Sequence, residues 1–220
     1  TIGWEGARCY KLGHAANAVT AWGVDRIGLS DDTALSATDA PATAAAIRKW
    51  AEDFWYGPGS AAREHVTVEL GRNEIDREYK SGKLPDAVIE THRQVRAVCD
   101  TRNGDGTLRF PNLYQVVDAT IWQVKTAGAA ARFAPLAPFC HGYAASLYNP
   151  GREQTPVEWT PYAEFVDLML DTAKSYGARF FSIWETGSPI GTRPEQRPQY
   201  FAGLLDYTLA GVRARGLAPG

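Results

Sequence analysis

Cysteine, methionine and histidine are scarce in this chain, and an excess of either charge is missing. The three cysteines, Cys9, Cys99 and Cys140, are odd in number and far apart, with no CxxC pair. That argues against a disulfide framework or a zinc cage and leaves them as small buried apolar residues. The four histidines, His14, His65, His92 and His141, never fall in an HExxH spacing, so no essential metal is expected. Phosphate-loop and dinucleotide fingerprints are absent, and no cofactor is expected either. The 23 basic and 25 acidic residues give a formal net charge of -2. The basic ones are scattered and form no positive stripe, which speaks against nucleic acid as a partner. No apolar run approaches the roughly twenty residues of a membrane span, and Thr1-Ile2-Gly3-Trp4 shows no basic-then-apolar leader. The sequence therefore reads as a soluble piece without a membrane span.

What is present is ordinary globular material. Apolar residues make up 45% and charged residues 22% of 220 positions, enough for one sizeable core, so residues 1–220 are expected to form a single domain. The opening on strand-like residues without an initiating Met is expected of a module of a longer polypeptide. Short apolar runs bounded by turn residues at 2–4, 24–29, 66–70, 113–117, 143–147 and 180–184 read as buried strands. Helical periodicity fills the intervals. The clearest helix is 161–176, with Phe165, Leu168, Met169, Thr172 and Tyr176 on one face, Thr160 as cap, Pro161 at its first position and Gly177 as its stop. A second spans 196–214 with Phe201, Leu204, Leu205, Thr208 and Val212 on one side. Further helices are expected near 13–22, 39–56, 85–99 and 120–131, the second opening on Asp39 and Pro41. Strand and helix alternate, as they do around a parallel sheet.

Several strands run into acidic residues: Ser30-Asp31-Asp32, Asn73-Glu74, Asp118 and Glu185. A (β/α) barrel gathers its strand ends on one face and builds its active site there. An open sheet gathers fewer. The expected fold is accordingly α/β, a TIM-type (β/α) barrel or a truncated version of one.

Two segments carry the functional expectation, His65 to Glu74 and Phe180-Phe181-Ser182-Ile183-Trp184-Glu185, each an apolar strand leading to a glutamate. Glycosidic bond cleavage uses two carboxyl groups on one sugar, one protonating the leaving oxygen and the other attacking or activating water. On the Asn73-Glu74 and Trp184-Glu185 dipeptides the chain resembles the (β/α)-barrel glycoside hydrolases that carry an acid/base Glu after Asn on the fourth strand. Their nucleophile is a Glu at the end of the seventh. The resemblance implies Glu74 as acid/base, Glu185 as nucleophile, Asn73 on a sugar hydroxyl, Tyr143 or Tyr148 as hydrogen-bond partner of the nucleophile, and Trp184 as a stacking surface. With 66–70 counted as the fourth strand, 180–184 is the seventh. Only two strands then precede the fourth and none is read after the last helix, which implies an incomplete barrel.

Asp118 and His141 are further strand-end candidates for substrate contact or proton transfer. Each has a plainer reading: a glutamate just past a strand is by default a solvated loop residue, and a lone His beside Cys140 is a structural one. Glu69 is read as the partner of Arg72. Asn103-Gly104-Asp105-Gly106 is read as a turn, since a calcium loop would need a leading Asp and a closing Glu. Gly187-Ser188-Pro189-Ile190-Gly191 puts proline where a nucleophile elbow would begin its helix. The run Trp50, Phe54, Trp55 and Tyr56 is read first as core packing and second as a carbohydrate platform or partner interface. The leading expectation is a glycoside hydrolase acting on a polysaccharide or cell-wall glycan, extracellular or on a virion surface, with carbohydrate and other domains of a parent polypeptide as partners. The rival is a non-catalytic barrel module for binding or assembly in a cell-surface or bacteriophage tail protein. A non-glycosidic barrel enzyme using Asp118 and Glu185 is a third.

Overall fold

The computed structural model describes residues 6–9, 26–29, 39–57, 65–70, 84–120, 129–148, 161–187 and 194–220. Its frame is one parallel sheet of seven strands: β1 (Gly6–Cys9), β2 (Arg26–Leu29), β3 (His65–Glu69), β4 (Leu113–Thr120), β5 (Gly142–Tyr148), β6 (Phe180–Gly187) and β7 (Ala218–Pro219). Each strand pairs with the next in chain order, and all pairs are parallel. The fold class is therefore α/β, as the alternation implied.

Helices form where the caps and the periodicity put them. Helix α1 (Ala40–Tyr56) opens on Asp39, whose carboxylate accepts from the Ala42 N–H at 3.2 Å, with Pro41 in the first turn where no N–H is missed. Ile47, Trp50, Ala51 and Phe54 then face the sheet. Helix α2 (Asp86–Cys99) buries Val88, His92, Val95 and Cys99. Helix α3 (Ala129–Phe133) is only five residues, because Pro135 and Pro138 turn its continuation into a 3-10 helix over Ala134–Phe139. Of the helix expected over 120–131, Thr120 belongs to β4, the last three positions fall in α3, and residues 121–128 lie outside the described residues.

Helix α4 (Val166–Ser175) starts later than the expected residue 161. Pro161 leads a 3-10 turn at Tyr162–Glu164, and Phe165 precedes the helix. Its buried face is Val166, Met169, Leu170 and Ala173, and Leu168, expected inside, is 40% exposed. Helix α5 (Arg197–Ala214) buries Tyr200, Leu204, Thr208 and Val212. Both α4 and α5 end alike. Gly177 and Gly216 take φ of 70° and 71°, and the next residue bonds back five positions, Ala178 to Ala173 and Leu217 to Val212. This left-handed stop returns the chain to the sheet within three residues each time, giving β6 and then β7. The last strand corrects the expectation that none follows the final helix.

Apolar side chains of the strands divide by parity between two faces. Val66, Val68, Leu113, Val117, Tyr143, Ala145, Leu147 and Phe181 pack with the helices. Tyr114, Val116, Ala144 and Phe180 form a separate cluster on the other face. Among the described residues no helix is long and apolar enough to cross a membrane. The strand expected at 2–4 and the helix at 13–22 lie outside the described residues.

Candidate functional site at the carboxyl ends of the strands

The face turned away from the helices is best read row by row from the register. The lowest row holds Val116, Gly142, Phe180 and Ala218. Here the Phe180 ring occupies the space over Gly142, where a methyl group would come within 2.1 Å of it. Tyr114 packs edge-on to the same ring at 5.4 Å. Bulky aromatics thus close this face toward the amino ends of the strands. The next row holds Asp118, Ala144 and Ser182, with Gly220 beside Ser182. Above it come Thr120, Ser146 and Glu185. The composition shifts from large and apolar to small and polar along the strand direction.

Glu185 reaches its register position through an irregularity. Ile183 pairs with Ala145 but Glu185, not Trp184, is matched to Ser146. One extra residue is therefore accommodated in β6 at Trp184, the signature of a bulge, a device that interrupts alternation and re-aims the chain. Under strict alternation Glu185 would follow the parity of Phe181 and Ile183, which pack on the helix side. The bulge instead gives it the register of Ser146, a fully buried residue of the other face.

The remaining candidates separate clearly. Asp118 lies in β4 opposite Ala144, and Tyr148 ends β5 opposite Gly187. Glu69 ends β3 opposite Val116, so three acidic positions, Glu69, Asp118 and Glu185, share one face parity. Asn73 and Glu74, and with them Arg72, lie outside the described residues. Tyr143 does not belong to the site. It sits on the helix side, its ring 5.7 Å from that of Tyr176 and stacked 6.2 Å from that of Phe181, because its parity is opposite to that of Ser146.

His141 is also displaced from its expected place. It precedes β5, at the amino end of the sheet, and its buried ring is fully engaged. Nδ1 accepts from the Gln115 N–H at 3.1 Å, which leaves the ring proton on Nε2 to donate to Asp100 at 3.2 Å. Burial first, and then the nearby Arg96 guanidinium, press its pKa down from 6.5 to about 4. His141 is a neutral clamp between β4 and the end of α2. Cys99 and Cys140 are buried free thiols, pushed up to about 12 by burial, in line with a packing role.

Ser182 and Ser146 were not singled out by the sequence. Serine carries no motif here, and only strand parity reveals which face it shares. Among the described residues no group of three His, Cys, Asp or Glu side chains could hold a metal ion. No protein-family model matches the chain, and no curated protein matches it.

Proposed function

We propose that the chain is a (β/α)-barrel glycan hydrolase whose site lies at the carboxyl ends of the strands, with Glu185 as one of its two working carboxylates. Support for a closed barrel comes from topology and burial. Strands in strict chain order, if joined by crossovers of the usual right hand, send every helix to the same face. A doubly wound sheet would reverse its order at a switch point. The other face is nevertheless buried: Val116 is 1% exposed, and Ala144 and Ser146 are at 0%. Curling of the sheet upon itself accounts for both facts.

The observation that carries the functional reading is the shared face of Asp118 and Glu185. Two strands and one same-face step separate them, a Cα separation of about 12 Å in a flat sheet. Curvature and the reach of two carboxylate side chains shorten this toward the roughly 5–9.5 Å spanned by glycosidase carboxyl pairs. Glu74 follows the carboxyl end of β3 by five residues and is the other candidate for the acid/base, with Asn73 beside it on a sugar hydroxyl. Trp184 and Tyr148 complete the carbohydrate contacts in this reading.

The test is a hydrolysis screen on cellulose, chitin, xylan and bacterial cell-wall glycan with the native chain and Glu185→Gln, Glu74→Gln and Asp118→Asn. Loss of roughly 10²- to 10⁴-fold in rate is expected for Glu185→Gln and for the variant that removes the acid/base. Equal rates in all four chains would end the proposal. Binding of a glycan with no turnover by the native chain would favour the non-catalytic module instead.

A further inference from the structure

Asn103 and Gly104 open the turn between α2 and β4, at the end of the sheet opposite the candidate site. The Asn103 carbonyl accepts from the Gly106 N–H at 3.0 Å, and the Asn103 N–H donates to the Thr107 carbonyl at 2.9 Å. Gly106 takes a φ of 84°, the left-handed value that closes such a turn. Gly104 is exposed, and a methyl group added to it would meet nothing within 4 Å. Among the described residues no hydrogen bond holds its N–H. The main-chain nitrogen that follows the Asn103 side chain is therefore uncrowded and open to solvent.

The Asn103 carboxamide is held between two partners. Its Nδ2 donates to the Thr107 hydroxyl at 3.1 Å, and its Oδ1 accepts from Arg109 Nη1 at 3.4 Å. The guanidinium is itself fixed, because its Nε and Nη2 bond the two oxygens of Glu52 at 2.6 Å each. A cation on the carbonyl oxygen draws electrons from Cγ and stabilises the negative charge that oxygen gains when a nucleophile adds there. A neighbour without a side chain, a polarised carbonyl and a thermolabile amide thus meet at one position. The Thr107 bond works against them, since the carboxamide must leave it to reach the Gly104 nitrogen.

We propose that Asn103 is a deamidation site of the folded chain, with water as the sole co-reactant. The Gly104 nitrogen loses its proton to solvent and attacks Asn103 Cγ. The new N–Cγ bond closes a succinimide ring, the Cγ–Nδ2 bond breaks, and Nδ2 takes up a proton and leaves as ammonia. Water then opens the ring at either carbonyl. One opening gives aspartate, and the other gives isoaspartate, whose main chain runs through the former side chain and is longer by a carbon. No oxidant or reductant enters. Aspartate puts a carboxylate against the Arg109 guanidinium, and isoaspartate stretches the turn that the Gly106 and Thr107 bonds close.

The test follows the peptide spanning Asn103 by mass spectrometry and isoaspartate assay while the native chain stands at pH 7.5 and at pH 9. Conversion is expected at both and is faster at pH 9, because the attacking nitrogen must be deprotonated. Gly104→Val crowds that nitrogen with a branched side chain and is expected to slow conversion several-fold. Thr107→Val frees the carboxamide and is expected to speed it about fivefold, the worth of one hydrogen bond. Thermal unfolding shows that each variant is folded, and a comparison of the native chain with the same chain unfolded in guanidinium chloride needs no variant. A native chain that keeps its Asn103 amide through an incubation in which the unfolded chain loses it overturns the inference. Equal rates in the native and the folded Gly104→Val chains overturn it too. An unchanged rate in Thr107→Val overturns the restraining role of that bond and leaves the site standing.

Discussion

The two ends of the parallel sheet are built on different principles. At the amino end, polar groups are spent on one another. Arg109 grips Glu52 through two bonds of 2.6 Å, the Trp55 indole donates to the Pro111 carbonyl at 3.1 Å, and the Tyr56 hydroxyl donates to the Arg109 carbonyl. Arg96 meets Asp100 at 2.6 Å, and Asp100 in turn receives His141. The connection from α2 to β4 is folded tightly on itself, with Asp105 accepting from the Thr107 N–H and hydroxyl. At the carboxyl end the inner face instead narrows to small side chains and places three acidic positions along one face. The contrast assigns holding to the amino end, and under the proposed reading it leaves the carboxyl end for the site, as in (β/α) barrels.

The sharpest way to break this division is to damage the amino end and look for an effect at the other. Phe110 is fully buried there, packed edge-on to Trp55 at 5.9 Å within the cluster beneath α1 and α2. Phe110→Ala is expected to cost about 3–5 kcal/mol in urea unfolding. Glycan affinity of the folded fraction should stay within twofold. A large affinity loss with little loss of stability would show that the two ends are not separate.

A smaller effect sharpens the same comparison through pH. His92 and His141 are both held neutral, their pKa values lowered from 6.5 to about 4, chiefly by burial. Arg96 and Arg179 add to the lowering at His141, and Asp100 opposes it. The unfolded chain takes up these protons near pH 6.5 and the folded chain resists them until about pH 4. The stability they contribute is therefore complete above pH 6.5 and is lost as pH falls toward 4. His141→Ala should cost about 1–3 kcal/mol at pH 7.5, since the Gln115 N–H and Asp100 lose their partner. It should also flatten the decline in urea midpoint between pH 7 and pH 4.5. An undiminished decline in both His141→Ala and His92→Leu would show that neither imidazole is the source.

Much of the fold could be read directly from the chain. Runs such as Val66 to Leu70 and Phe180 to Trp184 are dominated by apolar residues and announce strands, and Asp39 with Pro41 announces the start of α1. The same continuity hides the site. A strand buried on both faces shows no alternation, so Tyr143 and Ser146 could not be assigned to opposite faces without the register. The bulge at Trp184 breaks parity just before Glu185, and nothing in Trp-Glu-Thr-Gly signals it. His141 was read as a strand-end residue, but it precedes β5, which starts at Gly142, and so lies at the amino end of the sheet, opposite to the carboxyl ends. β7 escaped notice because Ala218–Pro219 is too short to form a pattern, although Gly216 before it gave the same stop signal as Gly177 before β6.

Helix α4 offers the finest test of where pattern and packing part. The spacing 165, 168, 169, 172, 176 fits a helical face, and Phe165, Met169, Thr172 and Tyr176 are buried as it implies, but Leu168 is 40% exposed and Leu170, outside that spacing, is fully buried. Phe165, just ahead of the helix, is itself buried, and the face continues through Val166, Met169, Leu170 and Ala173 in the core cluster shared with β5 and α5. Met169→Ala should then cost about 2–5 kcal/mol, whereas Leu168→Lys should change the unfolding free energy by no more than about 0.5 kcal/mol. If the two costs were reversed in urea titrations, α4 would be turned about its axis, with Leu168 inside and Met169 outside. The helix side of the sheet would then need a different packing from the one that defines the inner face by exclusion.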